Sequence, residues 1–153
     1  MTENLRKITP QELGAILADY KPNDDRLAGR DFSGFPLSRR RVTNAILDDS
    51  AFVGADLSYS IIVESFGAGC DFSRANMSNM FFYKTSLTAG TVFTGASMTD
   101  VIFVQCEINN ANFSGTDLST VTFLDCNLGG STYDKGTVFP DGFDPAYYGM
   151  VQV

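Results

Sequence analysis

The sequence predicts an all-β fold, a β-helix with four sides in each coil. Three observations support this prediction: a large apolar residue returns at every fifth position, a small residue stands two positions before most of them, and residues twenty apart are chemically alike. Five is neither the helical period near 3.6 nor the strand period of 2. The pattern therefore requires a structure in which five residues form one side of a coil.

The five-residue period runs through most of the chain. Large residues follow one another in steps of five from Leu27 to Leu87, with a single glycine among them, and after one extra residue the series continues from Phe93 to Tyr133. From Ala45 onward, the residue two positions earlier is usually small. Residues two apart in an extended segment point to the same side, so both members of each pair should face the interior.

Coils of twenty residues arrange the large residues in four columns. The column with the clearest chemistry is aromatic throughout: Phe32, Phe52, Phe72, Phe93, Phe113 and Tyr133. The aromatic column continues in the same order after the extra residue. We therefore place that residue in a local bulge between Thr88 and Val92. We expect about five coils, which at a strand spacing of ~4.8 Å form a rod roughly 25 Å long.

Four segments combine a small residue, an acid or amide and a large apolar residue: GADLS at 54–58, RANMS at 74–78, NANFS at 110–114 and GTDLS at 115–119. On these segments the chain resembles the pentapeptide repeat family, whose unit is Ala-(Asp/Asn)-Leu-x-x, and its C-terminal tail is similar to that of small stand-alone cyanobacterial members. The resemblance covers roughly residues 27–133. It implies a right-handed quadrilateral β-helix.

The first coil departs from the family pattern. Asp25, Arg30, Phe35 and Arg40 stand where small residues are expected, so the regular helix is predicted to start near Ala45.

We predict one structural domain with a cap at each end, because the terminal coils of a solenoid expose its core. Residues 1–24 form an N-terminal helical cap, residues 25–133 the β-helix, and residues 134–153 a C-terminal cap or tail. Thr9, Pro10 and Glu12 are typical of a helix start, with a capping residue, a proline at the first helical position and a glutamate three residues after the cap.

Gly67 is the gap in the columns of large residues. A glycine at such a position would leave a cavity, with a cost on the order of 2 kcal/mol or more. We therefore expect the neighbouring Phe66 to turn inward.

Composition excludes several classes of function. The 153 residues are 44% apolar and carry a formal net charge of −7, which argues against direct binding of nucleic acid or of an anionic membrane. The chain has no apolar run of 18 residues, and its first residues lack the pattern of a signal peptide. We expect a cytoplasmic protein.

No catalytic residue, cofactor site or metal site is predicted. The chain contains no histidine, and no ligand spacing typical of a metal site. The close acid pairs, Asp48 with Asp49 and Asp141 with Asp144, would need a cleft to act as acid and base, and a convex rod offers none. We expect no enzyme.

The three cysteines fall in inward positions for small residues: Cys70, Cys106 and Cys126. Cys106 and Cys126 are twenty residues apart and should stack in adjacent coils. Reduced thiols packed as small apolar groups are favoured, and a disulfide between these two remains open.

One side of the rod should expose an apolar strip. The residues flanking the fourth column alternate outward and are apolar: Ile61, Val63, Phe81, Tyr83, Ile102, Val104 and Leu124. A contiguous exposed patch of this kind typically marks an interface. Three occupants remain open: a second copy in a homodimer, the C-terminal tail of the same chain, or another protein.

The predicted function is a non-catalytic protein-interaction or scaffold module with an unknown partner. The resemblance implies an alternative, because some family members resemble B-DNA in shape and charge and bind DNA gyrase or topoisomerase. B-DNA carries one charge per ~1.7 Å, so a rod of about 25 Å would need roughly 15 acids. Residues 42–153 contain twelve Asp and Glu and three Lys and Arg, and the acids are spread over all four sides.

Overall fold

The computed structural model describes residues 5–153, which form a parallel β-solenoid with four sides. Backbone pairing occurs at four positions in each coil, five residues apart, and joins residues twenty apart, or twenty-one apart where the extra residue intervenes. The first such pairs are Asp31 with Ala51, Pro36 with Asp56, Arg41 with Ile61, and Ile46 with Phe66. This pairing confirms the predicted β-helix, with one five-residue unit on each side.

The regular elements are short. The single described helix, α1, spans Pro10–Ala18. The strands are β1 Arg6–Lys7, β2 Arg30–Asp31, β3 Arg41–Thr43, β4 Ile61–Val63, β5 Phe81–Tyr83, β6 Ile102–Val104, β7 Thr122–Leu124, β8 Thr132–Tyr133 and β9 Val151–Gln152. Strands β3 to β7 stack in order as a five-stranded parallel sheet on one side, while β1 pairs with β2 and β8 with β9.

The solenoid is longer than the expected five coils and has about seven turns. Strand β1 adds a level above β2, with Lys7 beside Asp31, and β9 adds one below β8. The regular pairing also begins at Arg30, so the prediction that it starts only near Ala45 is wrong. Backbone pairing between coils tolerates large or charged residues in the small-residue positions of the first coil: Asp25 and Arg40 are exposed, and Phe35 packs partly buried against the core.

The corners explain why polar residues recur between the apolar ones. A residue with positive φ stands at almost every corner, as at Asp49 (59°), Gly54 (64°) and Asn79 (60°). Glycine adopts this left-handed conformation freely, and Asn and Asp tolerate it better than other residues. The extra residue of the sequence lies at such a corner, where Ala89 and Gly90 both have positive φ, and this confirms the predicted bulge.

Stacked aromatic rings form the centre of the core. The rings from Phe32 to Phe113 lie nearly parallel, with centroids 4.9–5.5 Å apart from coil to coil. A second stack, formed by Phe82, Phe103 and Phe123, meets the first edge to face. The predicted aromatic column is therefore confirmed from Phe32 to Phe113, while its last member, Tyr133, meets Phe139 of the tail edge to face.

Buried hydroxyl groups join one coil to the next. Ser50 Oγ donates a hydrogen bond to the carbonyl of Leu27 (2.8 Å) and accepts one from the N–H of Arg30 (3.2 Å). The Cys70 thiol takes the same place in its coil and contacts the carbonyl of Leu47 at 3.1 Å. Inward polar side chains are thus compatible with the core because the neighbouring coil supplies their partners.

The expectation that Phe66 turns inward is wrong. Its side chain is 50% exposed, while the backbone of Gly67 is buried. Leu87 and Cys70 occupy the space that a side chain at Gly67 would use: a Cβ there would lie 3.0 Å from Leu87 Cδ2 and 3.3 Å from Cys70 Sγ. Neighbouring side chains have therefore filled the gap that the sequence suggested.

Both ends of the core are covered. At the N-terminus, the predicted helix start is confirmed: Thr9 and Glu12 form a reciprocal capping box, and α1 buries Leu13 and Ile16 against the first coil. The cap boundaries at residues 24 and 133 stay a prediction.

At the C-terminus, the tail packs beneath the last coil. The ring of Phe143 lies 5.8 Å from Phe123 and stacks between Phe139 and Tyr148. The tail rings therefore extend the core columns instead of lying over the apolar strip, so that candidate occupant of the strip is wrong.

Candidate functional site

The five-stranded sheet places all seven residues of the predicted apolar strip on one side of the rod. The central residue of each strand points inward, and the two flanking residues point outward. In register, Ile61, Phe81 and Ile102 form one outward column, between Arg41 and Thr122. The second column contains Val63, Tyr83, Val104 and Leu124, below Thr43. The geometry thus brings together the residues that the alternation predicted.

The strip is partly open to solvent. Leu124 is 51% exposed and Ile102 is 38% exposed, while the other five residues are half-buried by their neighbours in the stack. Strand β7 is the lower edge of this sheet, and its central residue, Phe123, is covered by the tail only from below. The exposed apolar surface is therefore greatest toward the C-terminal end.

Polar residues border the strip at the next corner. Each three-residue strand is followed by a residue with positive φ: Asn44, Glu64, Lys84, Gln105 and Asp125. These side chains form a column of mixed charge parallel to the apolar columns. An apolar centre with a polar rim is the usual arrangement of a protein-protein interface.

The structure also exposes an aromatic residue that the sequence pattern assigned to the core. Phe66 pairs with Ile46 and Ser86 on the side that follows the strip. The outward alternation around Gly67 could have indicated this, because Phe66 occupies the position just before a column residue, as Ile61 and Phe81 do.

The acidic side chains are dispersed. Asp56 and Asp117 share one column but lie three coils apart, about 14 Å at one strand spacing per coil. Amides from the next coil donate hydrogen bonds to two of the carboxylates: Asn76 Nδ2 to Asp56 (3.2 Å) and Asn127 Nδ2 to Glu107 (2.9 Å). No side of the described solenoid carries a continuous row of acids.

The three thiols are free. Burial raises the pKa of Cys70 to about 12. Hydrogen bonding between the stacked thiols raises the pKa of Cys106, and the hydrogen bond that Cys126 accepts lowers its own pKa. Cys126 is also the only one of the three that is not fully buried. It is therefore the thiol most accessible to a reagent.

We expect Cys126 to be alkylated first by iodoacetamide at pH 8, and Cys70 and Cys106 to react at least about tenfold more slowly, because the thiolate is the nucleophile. Peptide mass spectrometry over a time course measures the three rates. In urea, where burial is lost, the three thiols should react alike. Equal rates for Cys70 and Cys126 in the folded protein would contradict the burial described here.

Two further findings concern the described residues. Helix α1 has nine residues, and no helix within residues 5–153 is long and apolar enough to cross a membrane. In the same part of the chain, no three His, Cys, Asp or Glu side chains gather in a way that would hold a metal ion.

The family comparison agrees with the five-residue geometry. A family described as pentapeptide repeats, in a model of eight copies, matches residues 50–88 and 89–125. The chain belongs to the pentapeptide repeat family. The matched segments contain the central coils and all seven residues of the apolar strip, so the strip of this pentapeptide repeat protein lies on repeats that follow the family pattern. No curated protein matches the sequence.

One solved structure shows the same fold, and two further pentapeptide repeat proteins match at lower TM-scores. A trypsin-treated variant of QnrB1, described as a plasmid-mediated fluoroquinolone resistance protein, is similar at a TM-score of 0.58 and 19% identity, over 86% of this chain and 69% of that chain. The match to the pentapeptide repeat protein alr5209 from Nostoc PCC 7120 covers 99% of this chain and 100% of that chain, at 18% identity and a TM-score of 0.47. A thylakoid lumen pentapeptide repeat protein of Arabidopsis thaliana, AT2G44920, matches 71% of this chain and 65% of its own at 24% identity and a TM-score of 0.40.

Proposed function

We propose that this pentapeptide repeat protein is a non-catalytic protein-interaction or scaffold module, and that the apolar strip is its binding face. The observation that supports this proposal most directly is the stacking of seven outward apolar side chains on one sheet. The tail of the chain packs elsewhere, and Leu124 and Ile102 remain exposed.

The size of the strip sets the kind of interface it can form. Five strands span about 19 Å at ~4.8 Å per spacing, and two outward columns are roughly 12 Å wide with their side chains, giving an area of roughly 200 Å². A stable interface buries about 800 Å² on each partner. The strip can therefore act in two ways. It is the apolar centre of a larger interface that also includes the column of mixed charge from Asn44 to Asp125, or it forms the whole of a small, weak interface.

The aromatic pair at the middle of the strip is the expected energetic centre. Phe81 and Tyr83 lie on β5, the central strand of the sheet. Large aromatic side chains near the centre of an interface contribute most of its binding energy, while the surrounding contacts exclude water. The occupant is a second copy of the chain or a different protein, and the two are separated by experiment.

The test compares two triple variants. Ile61→Asp/Phe81→Asp/Ile102→Asp places three stacked carboxylates on the strip. Ser73→Asp/Thr94→Asp/Ser114→Asp places three stacked carboxylates on the opposite side of the same coils, so it controls for added charge and for repulsion between coils. Circular dichroism must first show that both variants fold.

We expect the strip variant to lose a partner, or a dimer, that the wild type and the control variant retain. Affinity should fall by at least about a hundredfold, because charges would be buried unpaired. Light scattering after gel filtration reports the dimer, and affinity capture with mass spectrometry reports another protein. Equal association by all three forms would contradict the proposal.

A second candidate function is a DNA-mimicking modulator of DNA gyrase or topoisomerase. The net charge of −9 over residues 42–153 favours it. The wide spacing of the acids in each column counts against it. A gyrase supercoiling assay decides: inhibition or protection by the wild type that the strip variant retains would support this candidate over the first.

A further inference from the structure

A cavity of about 320 Å³ lies at the N-terminal end of the rod, between α1 and the first coils. Its walls are apolar: Leu13 and Leu17 come from α1, and the inward residues of the upper coils, among them Leu27, Val42 and Ile62, form the rest. Three consecutive arginines, Arg39–Arg41, line its polar end.

The fourth column explains why the core is hollow here. Its inward residues are Phe82, Phe103 and Phe123 in the lower coils, but Ile62 and Val42 in the upper two. The small-residue position before Val42 holds Arg40, whose side chain is exposed. Val42 and Ile62, which stand where the lower coils have phenyl rings, both line the cavity.

The three arginines at the cavity form no ion pair with a carboxylate among the described residues. Within residues 5–153, the ion pairs formed by arginine involve Arg6 and Arg26, and none involves Arg39, Arg40 or Arg41. Arg39 lies 4.9 Å over the ring of Tyr59, and no acid lines the cavity. This is a local cationic site in a chain with a net charge of −7.

Arg40 also connects the cavity to a second hollow. A second space of about 500 Å³ beside α1 is also bordered by Leu13, Leu17 and Arg40, together with Phe35 and Pro36. An apolar ligand that enters beneath α1 would therefore keep its charged end beside Arg40 in either hollow.

We propose that this cavity binds a medium-chain carboxylate, with the hydrocarbon chain under α1 and the carboxylate at the solvent-exposed mouth of the cavity, beside Arg40 and Arg41. Apolar walls favour the chain, and the arginine guanidinium matches a carboxylate by paired hydrogen bonds. An apolar cavity of about 150 Å³ holds a benzene molecule, so this one has room for about a dozen non-hydrogen atoms. Decanoate, with its ten carbons, has that size.

Isothermal titration with sodium decanoate, kept below its micelle concentration, tests the proposal. We expect one saturable site in the wild type. Arg40→Gln/Arg41→Gln should lower the affinity roughly tenfold or more, since a charged hydrogen-bond partner is lost. Arg74→Gln, an exposed arginine in a central coil, serves as the control and should bind like the wild type.

Two further measurements separate the cavity from the outer surface. Val42→Phe introduces the phenyl ring that the same column holds in lower coils, and it should abolish saturable binding while keeping the circular dichroism of the wild type. In the wild type, affinity should rise with chain length from hexanoate to decanoate and then level off. The proposal is overturned if the wild type shows no saturable binding, or if both variants bind decanoate as the wild type does.

Discussion

Replacing Phe93 by alanine should lower the free energy of unfolding by about 3–5 kcal/mol, the usual range for a fully buried phenylalanine. The side chain of Phe93 is 0% exposed. Its ring centroid lies 5.5 Å from that of Phe72, 4.9 Å from that of Phe113 and 6.4 Å from that of Phe103. The substitution therefore breaks the aromatic stack at its middle and also removes the edge-to-face contact between the two stacks.

Phe66→Ala is the matched control for Phe93→Ala. It removes the same atoms from a side chain that is 50% exposed, so the loss should be less than about 1 kcal/mol. Urea unfolding followed by circular dichroism measures both variants. If the two substitutions destabilise the protein equally, Phe66 is not the outward residue that the structure shows.

The sequence predicted the four-sided coil because every level of the pattern agreed. Only the four-sided coil accommodates the five-residue period, the aromatic column and the single extra residue together. The structure has that arrangement. The strip residues followed from the same alternation, because once Phe82 points inward, Phe81 and Tyr83 must point outward.

The pattern was least informative where residues depart from it. Asp25, Arg30, Phe35 and Arg40 suggested that the first coil is irregular, whereas its backbone pairs as regularly as the others. Pairing between coils uses backbone groups, so it depends little on which side chain fills an inward position. The cavity near Arg40 is the structural consequence of that departure, and its shape depends on how α1 packs, which no local pattern specifies.

Gly67 is the position where the sequence pattern and the structure predict opposite results. Leucines stand one coil above and one coil below it, at Leu47 and Leu87. By the pattern, Gly67→Leu would fill a gap in the column and stabilise the protein. By the structure, even a Cβ would lie 3.0 Å from Leu87 Cδ2 and 3.3 Å from Cys70 Sγ, so a whole leucine side chain would overpack the core.

We expect Gly67→Leu to lower the free energy of unfolding by about 1–3 kcal/mol, the usual range for overpacking. Leu87→Ala alone should lower it by about 2–5 kcal/mol, because it leaves a cavity beside Gly67. In the double variant the new leucine occupies the space that Leu87 leaves, so the loss should be smaller than the sum of the two single losses. Urea unfolding of the four proteins gives this coupling. If Gly67→Leu alone stabilises the protein, the space beside Gly67 is empty. The column pattern would then predict the effect of the substitution correctly, and the packing of Leu87 in the structure would not.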